Sequence, residues 1–369
     1  MSSVPPELSD YIIDFLYDDP RALAACSLVC RDFLPTARFH YFSSIPLYGI
    51  RRYVSFAKLL EGSPALGRYV REVNIRSLTP IRPGEVPLVE KPLPNIVALL
   101  PQMKTLDMSS LDVSNAVKTV LTQATPVTEL RVQYCVFPSF DDFVELFYSY
   151  PRIEELTLRG VSWRSLFHHS RDHITPAPQL RKLALGRDVD AKTIIDFMID
   201  GNHIPHLETL SACCICDEDA AAVGALLDTL GSSLKHLELE WNPLHSATNA
   251  LFLPSGLSIQ ACDNLETLFL RCVITVGHSI PWASSLLADL RATAIKKISI
   301  EIRLLGDLDA VNWTSLQRTL IDAKFGCLQS VTFKLKIWSG VGLTAPEVEG
   351  MIRERIPLLE RKGIVHVTS

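Results

Sequence analysis

Two stretches of the sequence hold residues that could bind a metal or move protons. The run Cys213-Cys214-Ile215-Cys216, with His203 and His206 a few positions upstream, offers thiolates and imidazoles, the usual donors to zinc. Its spacing does not suit a zinc site. On an extended strand Cys213 and Cys214 point to opposite faces, and no second paired Cys or His motif follows at finger spacing. The other stretch, "FHHSRDH" (167–173), gathers three histidines, yet no nucleophile elbow, Gly-rich phosphate loop or paired carboxylates accompany it. It reads as a surface loop. Scattered Ser and Asp residues add nothing, because a triad can be assembled on paper from any chain of this composition. The sequence therefore predicts no catalytic residue, no cofactor and no metal.

The bulk numbers fit that reading. The 369 residues are 47% hydrophobic and 21% charged, with a formal net charge of −5, so no basic excess points to nucleic acid. The start, "MSSVPPELSD", has no charged segment leading into an apolar core, and no uncharged apolar run is long enough to span a bilayer. Nine cysteines, an odd number scattered through apolar segments, suit reduced thiols better than a disulfide framework. The expectation is a soluble protein of the cytoplasm or nucleus.

From residue 67 onward one phrase recurs, an apolar residue followed by others three and five positions later. It runs from Val70/Val73/Ile75 through Ile153/Leu156/Leu158, Leu207/Leu210/Ala212 and Leu265/Leu268/Leu270 to Leu328/Val331/Phe333, with starts 24 to 33 residues apart. The second and third apolar positions alternate as one inward strand face. Between them, "DDFVELFYSY" (141–150), "AKTIIDFMID" (191–200), "DEDAAAVGALLDTLG" (217–231) and "WTSLQRTLIDAKFG" (313–326) read as helices. This pattern resembles leucine-rich repeats of the ribonuclease-inhibitor type over about four fifths of the chain, which implies an irregular α/β solenoid with parallel strands concave and helices convex. The family's Asn or Cys after the strand is matched by Cys135 and Asn242, while Val161, Asp188, Ile215, Val273 and Arg303 stand there elsewhere, predicting uneven turns. The proline-rich segment 79–94 is expected to loop out, and "GIVHVT" from Gly363 to close the array.

Side chains alternating with the buried ones face outward. On adjacent repeats these bring together His236, Glu238, Glu240, Phe269 and Arg271, with Trp241 beside them, a mixture of charges and aromatic anchors suited to holding a target protein.

Ahead of the repeats lies an apolar segment, residues 4–47. Pro5 and Pro6 precede a helix with Leu8, Ile12, Ile13 and Leu16 on one side. Asp18 or Asp19 then caps "PRALAACSLVCRDF" (20–33), which reads as one helix with Leu23, Cys26, Cys30 and Phe33 along it, widened by Leu28 and Val29 and ended by Pro35. Residues 36–42 make a third short helix. Some 45 residues this apolar bury too little surface alone and should dock on something. The Pro-Pro-Glu-Leu start, the Ile-Ile-x-x-Leu helix and "LAACSLVCRDF" resemble an F-box, especially those of fungal F-box proteins carrying "DDPRALAACSLVCR". Val4 and Phe33 stand where that family usually has Leu and Trp.

The resemblance implies a three-helix F-box at 4–47, a connecting helical segment at 48–66 and the repeat domain at 67–369. It implies a Skp-family adaptor as partner and, through it, a cullin and a RING subunit of a ubiquitin ligase. Pro5, Pro6, Leu8, Ile12, Ile13, Leu16, Leu23, Cys26, Leu28, Val29, Cys30 and Phe33 then form either the module core or the adaptor face. The sequence does not separate the two, and the alternative is an N-terminal cap on a repeat protein that acts outside any ligase.

Overall fold

The structure, a computed structural model, describes residues 5–76, 93–113, 115–121, 126–165, 178–215, 217–241, 256–274 and 281–369. Asn242, Cys216, the histidine-rich stretch 167–173 and nearly all of the predicted insertion at 79–94 lie outside the described residues. Contacts divide the chain into two units, residues 1–178 and 179–369, and each has an α/β leucine-rich-repeat architecture.

The first unit opens with α1 (Pro6–Asp14), α2 (Pro20–Cys26) and α3 (Leu34–Ser43). Asp19 caps α2, its carboxylate accepting from the backbone N–H groups of Arg21 and Ala22, each at 3.0 Å. The stretch 20–33 is not the single helix its apolar run predicts. Leu28 and Val29 donate only to the carbonyls three residues back, and the Ser27 hydroxyl turns onto the Ala24 carbonyl (2.7 Å), so α2 tightens and stops. Pro35, read as a helix end, instead sits in the first turn of α3, where its fixed φ fits and its missing N–H costs nothing.

From α3 the chain runs directly into β1 (Ser44–Tyr48) and α4 (Gly49–Gly62). It continues through β2 (Glu72–Arg76), α5 (Leu93–Val97), β3 (Thr105–Ser109), α6 (Asn115–Leu121), β4 (Glu129–Gln133), β5 (Val136–Phe137), α7 (Phe140–Tyr148), β6 (Glu155–Arg159) and β7 (Ser162–Trp163). Strands β1, β2, β3, β4 and β6 pair in that order, all parallel, and β5 pairs with β7. Register stacks like on like: Val73, Leu106, Leu130 and Leu156 form one buried row. The sheet starts ahead of residue 67, because Phe42, Ile45 and Leu47 already follow the repeat phrase. Pro46 disguises β1 in the sequence.

The second unit contains β8 (Lys182–Leu185), α8 (Ala191–Asp200), β9 (Thr209–Ile215), α9 (Asp217–Leu230), β10 (His236–Trp241), β11 (Thr267–Ile274), α10 (Pro281–Asp289) and β12 (Lys297–Leu304). It ends with α11 (Trp313–Leu320), β13 (Ser330–Ile337), α12 (Ala345–Arg355), α13 (Pro357–Arg361) and the closing strand β14 (Val365–Thr368). Strands β8 to β14 pair in sequence order, all parallel. Side-chain caps fix the helix starts, Asp190 on α8 and Asn312 on α11, each accepting from the backbone N–H three residues on.

The two units leave their strands differently. In the first, the residue after β3, β4 and β6 turns left-handed: Ser110 (φ 56°), Tyr134 (φ 53°) and Gly160 (φ 59°). Cys135 then places its thiol near the Met108 and Gln133 carbonyls, at 3.6 and 3.4 Å. In the second, where Val273 and Arg303 stand in place of Asn, the strands simply continue, and β11, β12 and β13 each reach eight residues. The expected irregularity takes the form of longer strands.

Candidate functional site

The N-terminal helices pack around Ile13, Leu23 and Ala37, with Leu16, Cys26 and Phe33 half-buried against them. Thr36 donates to Asp10, and the His40 ring nitrogen lies 2.7 Å from Asp14, tying α3 to α1. This divides the residues that sequence left together. Ile13 and Leu23, each 1% exposed, are core, whereas Leu8, Ile12, Leu28, Val29, Cys30 and Pro5 are exposed. Pro6 opens α1.

The expectation that Leu8, Ile12, Ile13 and Leu16 share one side of α1 is corrected. The buried face is Ser9 and Ile13, four residues apart, with Leu16 beyond. The adjacent side carries Leu8, Tyr11 and Ile12, continued by Phe15 at the C-cap, spaced 0, +3, +4 and +7, an apolar helix stripe turned to solvent. The Tyr11 and Phe15 rings meet edge to face at 4.9 Å. Tyr17 and Val29 are exposed too, and Leu28 is 87% exposed. Covering side chains of this kind is worth roughly 1.5–3 kcal/mol each before the costs of association. Tyr11, Phe15 and Tyr17 were legible only by following every apolar residue of 6–17 rather than one face.

The module's other side is engaged. Helix α3 packs on the 3-10 turn Pro64–Tyr69, and Arg71 lies over the Phe39 ring at 5.9 Å. A cleft of about 750 Å³ is lined by all five residues of β1 together with Tyr41, Arg51 and Arg52, so it follows the strand's edge. Among the described residues β1 has one neighbouring strand, and its other edge is blunted. Pro46 lacks an N–H, and its carbonyl accepts from Arg52 Nη1 at 3.4 Å.

The second candidate surface is the outward face of β9 to β13. His236, Glu238, Phe269 and Arg271 lie on it as the alternation predicts. Trp241 does not: it shares the parity of Leu237 and Leu239, points into the core and is 2% exposed. The expectation of an aromatic anchor there is corrected. Glu240 has outward parity but is also 2% exposed, because arginines close over it. Arg187 and Arg303 reach its Oε1 at 2.8 and 2.9 Å, and Arg271 reaches its Oε2 at 3.6 Å. Arg271 also bonds Glu238 at 2.5 Å and donates to the Cys213 thiol at 3.5 Å. Glu301 is held likewise by Arg303 (2.8 Å) and Lys336 (3.2 Å). Burial would raise the Glu301 pKa, but these bonds outweigh it and hold the carboxyl below its ordinary value.

Phe269 has Arg271 at 5.3 Å and Lys334 at 4.8 Å from its ring centre, while His236 Nδ1 meets the Thr267 hydroxyl at 2.8 Å. Arg187, Arg303, Lys334 and Lys336 were missed by sequence reading. Their place follows only from strand register, which brings residues some 60 positions apart together.

Burial, first, then the neighbouring Glu238 and Glu240, pushes the Cys213 thiol up despite Ser211 and Arg271, and His203 is buried against the Phe197 ring at 5.0 Å. Among the described residues no three of His, Cys, Asp and Glu gather as around a metal ion, and no helix is long and apolar enough to cross a membrane.

No family model matches the chain, and no curated protein does. A similar solved structure is the leucine-rich repeat-containing protein LegL7 from Legionella pneumophila, 16% identical, covering 87% of this chain and 94% of that one, with a TM-score of 0.39. The repeat architecture rests on each unit's own strands and helices rather than on that likeness.

Proposed function

We infer that the chain is the substrate-recognition subunit of an SCF-type ubiquitin ligase. The N-terminal module is an F-box whose exposed apolar residues seat a Skp-family adaptor, and the repeats hold a target protein. The observation that carries this is the solvent-facing stripe Leu8, Tyr11, Ile12 and Phe15, with Leu28 and Val29 exposed in the same module. A soluble domain has no use for such a face unless a partner covers it. The adaptor face is thus Leu8, Ile12, Leu28, Val29 and Cys30, now joined by Tyr11, Phe15 and Tyr17, while Ile13 and Leu23 hold the module together. No residue of this chain performs covalent chemistry. The adaptor, the cullin and the RING subunit bring charged ubiquitin close, and the repeats raise its effective concentration at the target's lysines.

The packing of α3 on the first repeat favours a second reading, in which the module is a cap on a repeat protein working outside a ligase. Co-expression with a Skp-family adaptor separates the two. The ligase reading expects a stoichiometric complex with the wild-type chain and its loss in Leu28→Asp with the fold intact. Absence of any complex, where a control F-box protein forms one, leaves the cap.

A further inference from the structure

Resting on the reading of the repeats as a target receptor, we propose that the strand face of the second unit selects an acidic peptide segment of its target. On the outward positions of β8 to β13 stand Lys182, Arg271, Lys297, Arg303, Lys334 and Lys336 against Glu238, Glu240 and Glu301. Six cations face three carboxylates in a chain whose net charge is −5. The repeat phrase itself does not impose this. On the same positions of the first unit, Glu72, Asp107, Glu129 and Glu155 outnumber Arg76, Arg131 and Arg159.

The surplus is also sorted by depth. Every carboxylate of the second face is engaged from within: Glu240 by three arginines, Glu238 by Arg271, Glu301 by Arg303 and Lys336. Lys297 and Lys334, which no carboxylate of this face engages, carry their ammonium groups at exposed positions. Such a face attracts carboxylates and repels like charge, giving specificity and fast encounter more than raw affinity.

A peptide fits better than nucleic acid. The guanidinium groups that would fork onto phosphates are occupied by Glu238, Glu240 and Glu301. The aromatic of the face, Phe269, has its ring taken by Arg271 and Lys334 rather than left open for a base to stack on.

The test is fluorescence anisotropy of the full-length chain with a fluorescein-labelled oligoglutamate, beside an oligothymidylate of equal charge. Oligoglutamate should bind at low ionic strength, weaken as salt rises, and lose about tenfold or more in Lys297→Glu/Lys334→Glu, with Leu28→Asp unaffected. The exposed Lys297→Ala/Lys334→Ala pair should lose less, and its unchanged melting temperature rules out misfolding. Equal binding by wild type and the Glu variant, tighter binding of oligothymidylate, or no oligoglutamate binding overturns the proposal. Because Leu28→Asp and adaptor binding are read separately, this failure is distinguishable from failure of the ligase reading.

Discussion

The N-terminal helices and the second unit's strand face invert the usual distribution of residues. The helices turn Leu8, Tyr11, Ile12 and Phe15 outward and keep only a small core around Ile13, Leu23 and Ala37. The strand face draws Glu240 and Glu301 inward beneath arginines and a lysine. Apolar surface left in water is waiting for other apolar surface, an attraction that salt scarcely touches. Charges already paired in the protein set geometry, and exposed charge such as that of Lys297 and Lys334 acts at longer range and is screened. On the proposed reading, the helices serve a standing adaptor and the strand face a transient target.

The sharpest break in that contrast comes from placing a charge on the two sides of the helical module. Leu23→Asp should unfold it, costing about 4–5 kcal/mol by burying an unpaired carboxylate, seen as a lost or lowered first transition in calorimetry. Leu28→Asp should leave melting unchanged and weaken adaptor binding about 100-fold, measured by titration calorimetry. If both variants melt alike, the division into core and seat is wrong.

On the strand face, Glu240→Ala leaves Arg187, Arg271 and Arg303 without their shared carboxylate. It should cost about 2–3 kcal/mol, discounted because Arg187 is half exposed, and denaturant unfolding would read it. The smallest expected effect lies in the first unit. Burial raises the Asp107 pKa, with Glu72 and Glu129 adding to it against Arg131, and Asp107 Oδ1 is buried without a hydrogen-bond partner. A raised carboxyl pKa means the charged form costs stability at neutral pH, a cost that disappears as pH falls through that value. Asp107→Asn should therefore stabilise slightly at neutral pH, by less than about 0.5 kcal/mol once solvent screening of this half-exposed group is discounted, and not at all in acid. Glu301, with its pKa held low, behaves oppositely: its stabilisation is present above the ordinary carboxylate pKa and lost as pH falls through the lowered one. Glu301→Gln should lose stability at neutral pH and match wild type in acid.

Much of this fold could be read from the sequence because the repeat phrase reports burial directly. Leu156, Leu210, Leu268 and Val331 are inward as their spacing demands. β1 escaped because Pro46 looks like a loop residue, although an edge strand tolerates it. The single long helix at 20–33 failed because composition shows what is apolar and not where i−4 bonds give way to i−3 bonds. Trp241 could have been placed by strand parity alone. The cage around Glu240 could not, since Arg187 and Arg303 reach it only through the register of neighbouring strands.

Titration calorimetry of the full-length chain against a purified Skp-family adaptor, at low and raised salt, bears most directly on the apolar seat. Tight binding with a negative heat-capacity change, nearly independent of salt and lost in Leu28→Asp, is expected. No binding, or binding that falls steeply with salt and survives Leu28→Asp, would contradict it.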